Sequence, residues 1–246
     1  YKILLGDRLH IVHIAHSTFD NLRFVSLFPN NIVAVSNGVK QNLINYFHRK
    51  PSNITVIYNG LSDKYTPKIY RNDGKIKILF VGRICGVKRQ LDFVKYSKGK
   101  IPYNVEVLFA GKGEDEEALK REILDDSHYK YLGYVNPYEW YNKVDYTLLF
   151  SEKEGFSLSL VESCMFGIPI LTNKLDVFKE INEHGITGFS YEDFESLVYA
   201  FKNLPQPDSI EYRQMSLAAR HKYLNYWKEE KMIEQYKKVI IKELQD

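Results

Sequence analysis

Two segments carry residue types that could do chemistry together. The first is VGRICGVK (81–88), where an apolar run ends at Gly82 and is followed by Arg83, Gly86 and Lys88. An arginine fork and a lysine point charge five residues apart on a glycine-containing turn suit a diphosphate. The second is SEKEGFSLSLVESCMFG (151–167), in which Glu154 and Glu162 stand eight residues apart. Read as helical spacing, eight residues rise roughly 12 Å, so the two carboxylates are expected to hold hydroxyl groups at opposite ends of an elongated ligand. Between them, the N–H groups of Ser157, Leu158 and Ser159 are expected at a helix N-terminus, where orphan donors and the helix dipole favour an anion. A central diphosphate with hydroxyl-rich rings at both ends describes a nucleotide sugar. Taken singly, Glu162 reads as a solvated helix glutamate, Glu154 as a loop carboxylate, and the basic turn as ordinary surface charge.

These residues need a scaffold that brings loop ends together. Apolar runs at 10–15, 32–36, 54–58, 76–81, 105–110, 130–135, 145–150, 168–172 and 186–190 alternate with amphipathic stretches near 37–48, 87–98, 114–125, 136–143, 157–166, 175–183 and 192–203. Strands that are apolar on both faces, alternating with helices, predict an α/β fold: a Rossmann-like, doubly wound parallel sheet with a partial second α/β domain. Ligands of such sheets sit beyond the carboxyl ends of the strands, where both segments fall. The polar stretch NGLSDKYTPKIYRNDGK (59–75) separates about three strands from about six. The expected division is 1–60, the incomplete tail of an N-terminal, acceptor-side domain; 61–75, a linker; 76–225, the complete C-terminal domain; and 226–246, a C-terminal helix packing back toward the N-terminal part. The last stretch, 208–243, reads as two helices, in which Tyr226, Trp227, Met232, Ile233, Tyr236 and Ile240 recur near helical spacing and predict a packing face.

Composition narrows the class. The 246 residues include 34 basic and 31 acidic side chains, a net charge of +3. Residues 1–60 hold six basic and two acidic, 61–200 hold 19 and 22, and 201–246 hold nine and seven. No basic stripe of the kind that binds nucleic acid is present. The modest surpluses at the two ends read either as ordinary surface solvation or as a peripheral contact with an anionic membrane surface. Two scattered cysteines, Cys85 and Cys164, fit a reducing cytoplasm. The chain opens on Tyr1 without an initiator methionine or a signal peptide, and is expected to be a fragment.

The combination resembles glycosyltransferase family 4, whose GT-B fold has two facing Rossmann-like domains. The resemblance runs through NIVAVSNGVKQNL (31–43), ITVIYNGL (54–61), ILFVGRICGVK (78–88), VEVLFAGKG (105–113), YLGYV (131–135), SEKEGFSLSLVESCMFGIPIL (151–171), KEI (179–181) and HGITGF (184–189), and Glu154 with Glu162 matches the family's E-x7-E motif. It implies that Arg83 and Lys88 bind the donor diphosphate and stabilise the leaving group. It implies that Glu154 touches the transferred sugar, that Glu162 holds the ribose, and that the backbone of Gly155, Phe156, Ser157 and Leu158 lines sugar and phosphate. Val135 would sit near the base. His16, in HIAHSTFD, matches a histidine that approaches the donor sugar; its competing reading is a structural strand-end histidine among His10, His13 and His16. Ser62, Arg89 and Cys85-Gly86 depart from the family pattern and leave the arginine–lysine spacing intact. The family's first strand and glycine-rich loop have no counterpart in the chain.

The resemblance further implies a retaining, front-face transfer of a sugar from a nucleotide-sugar donor, uridine ahead of guanosine, to a glycan or lipid-linked acceptor in polysaccharide biosynthesis. No metal or other cofactor is expected: no D-x-D pair and no zinc-spaced cluster occurs, and Arg83 and Lys88 would neutralise the diphosphate. Gly111-Lys112-Gly113 lacks the third glycine of a dinucleotide fingerprint, and the acidic run 114–117 reads as a helix's first turn. The competing readings are a nucleotide-sugar-binding module without catalysis, and a nucleotide-sugar epimerase or sugar phosphorylase of the same architecture.

Overall fold

The computed structural model describes residues 10–21, 23–68 and 70–245. They form two compact units. The first comprises the described residues of 1–62 with Glu154–Phe156 and Tyr226–Asp246; the second comprises Asp63–Lys153 and Ser157–Asn225.

In the first unit, β1 (Val12–Ala15), β2 (Asn31–Ala34) and β3 (Ile54–Val56) pair in parallel in that order. The middle strand is buried through Ile32, Val33 and Ala34. Helix α1 (Asn37–Asn45) follows it, started by Ser36, whose hydroxyl accepts from the Val39 N–H at 3.1 Å.

The second unit is built on a six-stranded parallel sheet. Its strands are β4 (Ile76–Val81), β5 (Val105–Ala110), β6 (Tyr129–Gly133), β7 (Tyr146–Leu149), β8 (Ile170–Asn173) and β9 (Gly188–Tyr191), in the order β6-β5-β4-β7-β8-β9. The helices are α2 (Gln90–Ser97), α3 (Glu116–Ile123), α4 (Tyr138–Tyr141), α5 (Leu158–Met165), α6 (Asp176–Ile181), α7 (Phe194–Ala200) and α8 (Ile210–Tyr226). Parallel strands need helical crossovers, which cover both faces of the sheet and bury its centre. Leu79, Val107, Leu148 and Leu149 are accordingly fully buried. The chain builds outward from β4 to β6, then returns to lay β7 on the other side of β4. That reversal is a topological switch point, the place where open α/β sheets bind ligands.

The core strands agree with the sequence reading, β4 and β5 to the residue. The apolar stripe from Tyr226 to Ile240 does not form one helical face. It is interrupted at Trp227-Lys228, between α8 and α9 (Glu229–Gln245). There the chain is extended: the Leu61 N–H donates to the Trp227 carbonyl at 2.9 Å, and the Glu229 N–H to the Leu61 carbonyl at 3.1 Å. Trp227 is buried, while Ile233 and Ile240 are exposed.

Among the described residues of 63–75 there is no helix or strand, and they belong to the second unit. Lys68 and Arg71 both reach the buried carboxylate of Asp145, which also accepts the Lys77 N–H at 2.8 Å. Arg220 grips Asp63 with both terminal nitrogens, at 2.9 and 2.6 Å. Among the described residues, no helix is long and apolar enough to cross a membrane.

Candidate functional site

The switch point brings two loops side by side. The turn after β4 runs Gly82 to Lys88 and ends in a short 3-10 helix, Gly86–Lys88. The loop after β7 docks on it: the Glu152 N–H donates to the Val87 carbonyl at 2.8 Å. Lys88 therefore stands beside the segment that leads into α5. Arg89 follows in the left-handed region, φ 60° and ψ 26°, a conformation glycine adopts without steric cost. Its guanidinium stacks over the rings of Phe194, at 4.6 Å, and Phe150, at 5.8 Å. Those contacts hold an arginine in a conformation that glycine adopts more readily.

Arg83 lines an open cleft of about 330 Å³. One wall is Val81, Gly82 and Arg83 from the end of β4; the next is Ala110, Gly111 and Lys112 from β5; the third is Tyr134, Val135 and Pro137 beyond β6. Arg83 and Lys112 are both exposed, and among the described residues neither forms an ion pair with an acidic side chain. Two cations and no acid on the lining make the cleft electropositive, as an anionic ligand requires.

The Gly111-Lys112-Gly113 loop owes its glycines to close backbone approach. A Cβ on Gly111 would fall 1.9 Å from the Gly82 carbonyl oxygen, and one on Gly113 would fall 2.0 Å from that of Ile84. The Ile84 N–H donates to the Lys112 carbonyl at 3.0 Å, so the two loops are laced together and present Arg83 and Lys112 to the same cleft.

Glu162 lies on α5 and is half-buried. It is not the solvated helix residue that its sequence position permits. Tyr141 donates to its Oε2 at 2.8 Å and Tyr138 to its Oε1 at 3.3 Å. Burial raises the carboxyl pKa above the ordinary value, and the two tyrosine hydroxyls pull against that rise. Both tyrosines belong to α4, which starts just after Pro137 on the cleft wall.

The eight residues from Glu154 to Glu162 are not helical spacing. Helix α5 begins at Leu158, so only half of the interval is helix and the expected 12 Å rise does not apply. Ser157 is the N-cap, and its hydroxyl accepts from the Leu160 N–H at 3.4 Å. The helix start therefore offers the N–H groups of Leu158 and Ser159, with Ser157 standing outside it. Gly167, with φ 67°, follows the C-cap Phe166 and closes the helix.

Glu154, Gly155 and Phe156 belong to the first unit, as does His16. A Cβ on Gly155 would lie 2.0 Å from the His16 carbonyl oxygen, so only glycine fits. The Gly155 carbonyl accepts the Ser36 hydroxyl at 2.7 Å. Phe156 is buried against Tyr58, at 5.6 Å, and Trp227, at 6.4 Å, which makes its side chain a packing group. The His16 side chain is exposed.

Within the second unit the structure thus gathers Arg83 and Val135 on one cleft, and sets Glu162 beside the helix that follows it. Within the first unit it joins Gly155 to His16. Sequence reasoning missed Lys112, Tyr134, Tyr138 and Tyr141. The alternation of tyrosines with glycine and proline in YLGYVNPYEWY (131–141) was the available signal.

A family model described as glycosyl transferases group 1 matches residues 62–222, more than half of the chain. The chain belongs to this family. Among relatives of this group 1 chain is N-acetyl-alpha-D-glucosaminyl L-malate synthase of Bacillus anthracis, 26% identical over 100% of the chain and 71% of the relative. Among solved structures, HepE of Anabaena in complex with UDP and glucose superposes with a TM-score of 0.80 at 18% identity, over 93% of this chain and 70% of that one. A glycosyltransferase from Rickettsia africae gives 0.79 at 19% identity, over 96% and 71%. The fold of this group 1 chain is that of the GT-B glycosyltransferases.

Proposed function

We propose that this group 1 chain carries the donor site of a family 4 glycosyltransferase, moving a hexose from a nucleotide sugar to an acceptor hydroxyl with retention of configuration. The observation that carries the reading is Arg83: a permanent cation on a cleft beside the sheet's switch point, without an acidic partner among the described residues. Lys88 on the same turn and Lys112 across the cleft add positive charge for a diphosphate. The N–H groups of Leu158 and Ser159 add fixed dipoles of the same sign.

In the proposed reaction the bond from the anomeric carbon to the diphosphate oxygen breaks. The acceptor oxygen bonds to that carbon from the same face, and its proton passes to the departing diphosphate. Negative charge grows on the leaving group, where Arg83 and Lys88 stabilise it more than in the ground state; losing one such donor typically costs roughly 10²–10³ in rate. Glu162, oriented by Tyr138 and Tyr141, is assigned the ribose hydroxyls. Val135 is assigned the base. For Glu154, Gly155, Phe156, Ser157, Leu158 and His16, roles toward the transferred sugar rest on family resemblance. These cations meet the diphosphate charge, and the mechanism gives no step to a metal.

A uridine diphosphate sugar is the proposed donor, in keeping with the UDP and glucose bound by HepE. A glycan or lipid-linked acceptor in polysaccharide assembly is proposed from the family alone. The buried free thiols of Cys85 and Cys164 support a cytoplasmic setting, and contact with the inner membrane face rests only on the basic surpluses.

A thermal-shift screen of nucleoside diphosphates and nucleotide sugars tests the reading. A ligand at 100 times its dissociation constant adds about 2.7 kcal/mol of stability. Release of nucleoside diphosphate on adding acceptor then separates a transferase from a binding module.

A further inference from the structure

The first unit has a cavity of its own, of about 50 Å³, at the amino ends of β2 and β3. Asn31, Ser52, Asn53, Thr55 and, from α9, Lys242 line it, with Ile32 and Val239 as the apolar part. A single water needs roughly 10–15 Å³, so the space suits a group of several heavy atoms. It lies at the opposite end of the sheet from the candidate site. Asn31 opens β2, whereas Ser36, which bonds Gly155, comes after the strand's other end. Three strand steps, about 10 Å, separate Asn31 from Ala34. No residue with a role toward donor or acceptor lines this cavity, so the transfer reaction leaves it unexplained.

Local sequence builds the lining. Pro51 starts a 3-10 helix, Pro51–Asn53, in which the Asn53 N–H donates to the Lys50 carbonyl at 3.0 Å. Strand β3 begins at the next residue, and its register pairs Ile54 with Ile32, which sets Asn53 beside Asn31. The Ser52 hydroxyl donates to Asn53 Oδ1 at 3.2 Å. That bond engages the amide oxygen and leaves the amide N–H groups for a ligand. Val239 and Lys242 are three residues apart on α9 and share one face of it.

The chemistry of the lining is one-sided. Among the described residues, the Asn31 amide, the Thr55 hydroxyl and the Lys242 ammonium make no hydrogen bond or ion pair. No acidic side chain lines the cavity. The run just before it adds His48, Arg49 and Lys50, and no acid occurs from 41 to 60. On α9, Glu234 is engaged by Lys238 at 2.7 Å. Hydrogen-bond donors gathered around a positive charge call for an oxyanion. Lysine, serine, threonine and asparagine are all regular donors to phosphate oxygens.

We infer that this cavity binds a phosphate group, held by Lys242, Thr55, Asn31 and Asn53, and that its occupancy fastens α9 to the β2–β3 edge. The inference goes beyond the donor reading and does not depend on it. Inorganic phosphate and the headgroup of an anionic lipid offer the same chemistry. The chains of such a lipid would meet Ile240 and Ile241, both exposed beside Lys242.

The test is a titration of inorganic phosphate into the isotopically labelled chain at constant ionic strength, followed by backbone-amide NMR. Lys242→Met and Thr55→Val are titrated in parallel, with unfolding curves confirming that each is folded. The expected result is saturable shifts at Ile32, Thr55 and Val239, with affinity weakened about tenfold or more in Lys242→Met and by a smaller factor in Thr55→Val. Shifts at Gly82 and Arg83 report the donor cleft separately. Protection of the α9 amides from hydrogen exchange is expected to rise with phosphate in the wild type. Sedimentation with phosphatidylglycerol vesicles, against phosphatidylcholine vesicles, tells the two sources apart. Retention on the former that Lys242→Met abolishes makes the ligand lipid-borne; phosphate shifts without retention make it the free anion. Wild-type protein that shows neither saturable shifts at these residues nor such retention overturns the inference and leaves the donor reading standing. Undiminished affinity in folded Lys242→Met, or in Thr55→Val should the first variant not fold, overturns it too.

Discussion

The Tyr141 hydroxyl donates to Glu162 Oε2 at 2.8 Å, so a wholly buried tyrosine on α4 holds a half-buried carboxylate on α5. The same hydroxyl lies 3.2 Å from the Ser159 carbonyl. One phenol thus pins both the start of α5 and the glutamate one turn further on. A carboxylate fixed in this way can accept ligand hydroxyls without first losing side-chain freedom.

Replacing Tyr141 by phenylalanine keeps the ring and removes the donor. A hydrogen bond to a charged group is worth about 1.5–3 kcal/mol, so Tyr141→Phe is expected to lose stability in that range. Urea denaturation at neutral pH measures it. The Glu162 carboxyl, already raised by burial, is expected to rise further, because a hydroxyl that favours the ionised form is gone. An NMR titration that finds it lower would contradict the assignment.

The raised Glu162 also fixes a pH dependence. The folded chain binds this proton more tightly than the unfolded chain does. Between the ordinary glutamate value and the raised one, this group's contribution to stability therefore falls as pH rises. Under the proposed ribose role, nucleotide affinity moves the opposite way, because ribose hydroxyls would need the carboxylate as acceptor. UDP titrations across mildly acidic pH are expected to show affinity rising with pH, and the slope is expected to flatten in Glu162→Gln.

Asp145 is the keystone of the segment 63–75. Its buried carboxylate faces Lys68 at 3.4 Å and Arg71, and the Tyr212 hydroxyl donates to its backbone carbonyl at 2.5 Å. Burial brings the Lys68 pKa down to about 8 against the pull of Asp145. Removing one partner of a buried pair strands the other, at a typical cost of about 3–5 kcal/mol. Asp145→Ala is expected to lose that much in denaturant unfolding. Because the folded pKa of Lys68 lies below its ordinary 10.5, the wild-type chain releases this proton first. The Lys68 contribution to stability therefore grows as pH rises from about 8 toward 10.5. A Lys68→Met variant is expected to lose that increment.

Gly155 tests the first unit. Its missing Cβ leaves room for the His16 carbonyl, which would otherwise be 2.0 Å away. Gly155→Ala is expected to destabilise by about 1–3 kcal/mol through overpacking, measured by thermal or urea unfolding. An unchanged midpoint would show that the 154–156 loop is held less tightly than the Ser36 bond indicates.

The sequence made the fold legible where strands are buried on both faces. Ile76–Val81 and Val105–Ala110 read as strands because nearly every side chain is apolar, and a central parallel strand has no polar face to blur the signal. Arg83 and Lys88 could be singled out as candidates because their spacing straddles a glycine turn at a strand end. Lys112 could not, since its place on the cleft depends on two glycines that let backbones touch, a distance that local sequence does not encode. Two helices are legible over 208–243, and the two-residue break between them at Trp227-Lys228, bonded to Leu61, is not, because periodicity cannot register so short an extended step. Tyr138 and Tyr141 carry no mark in the local sequence, because their hydroxyls acquire meaning only from Glu162 on another element.

The donor role of Arg83 is open to one direct measurement. Titrate UDP calorimetrically into the wild-type chain and into Arg83→Ala, with unfolding curves confirming that both are folded. An exposed side chain can be removed without loss of the fold, so a difference reports on the ligand. The expected result is saturable binding to the wild type, weakened about tenfold or more in the variant. Equal affinity in the two proteins would contradict the placement of the diphosphate on Arg83.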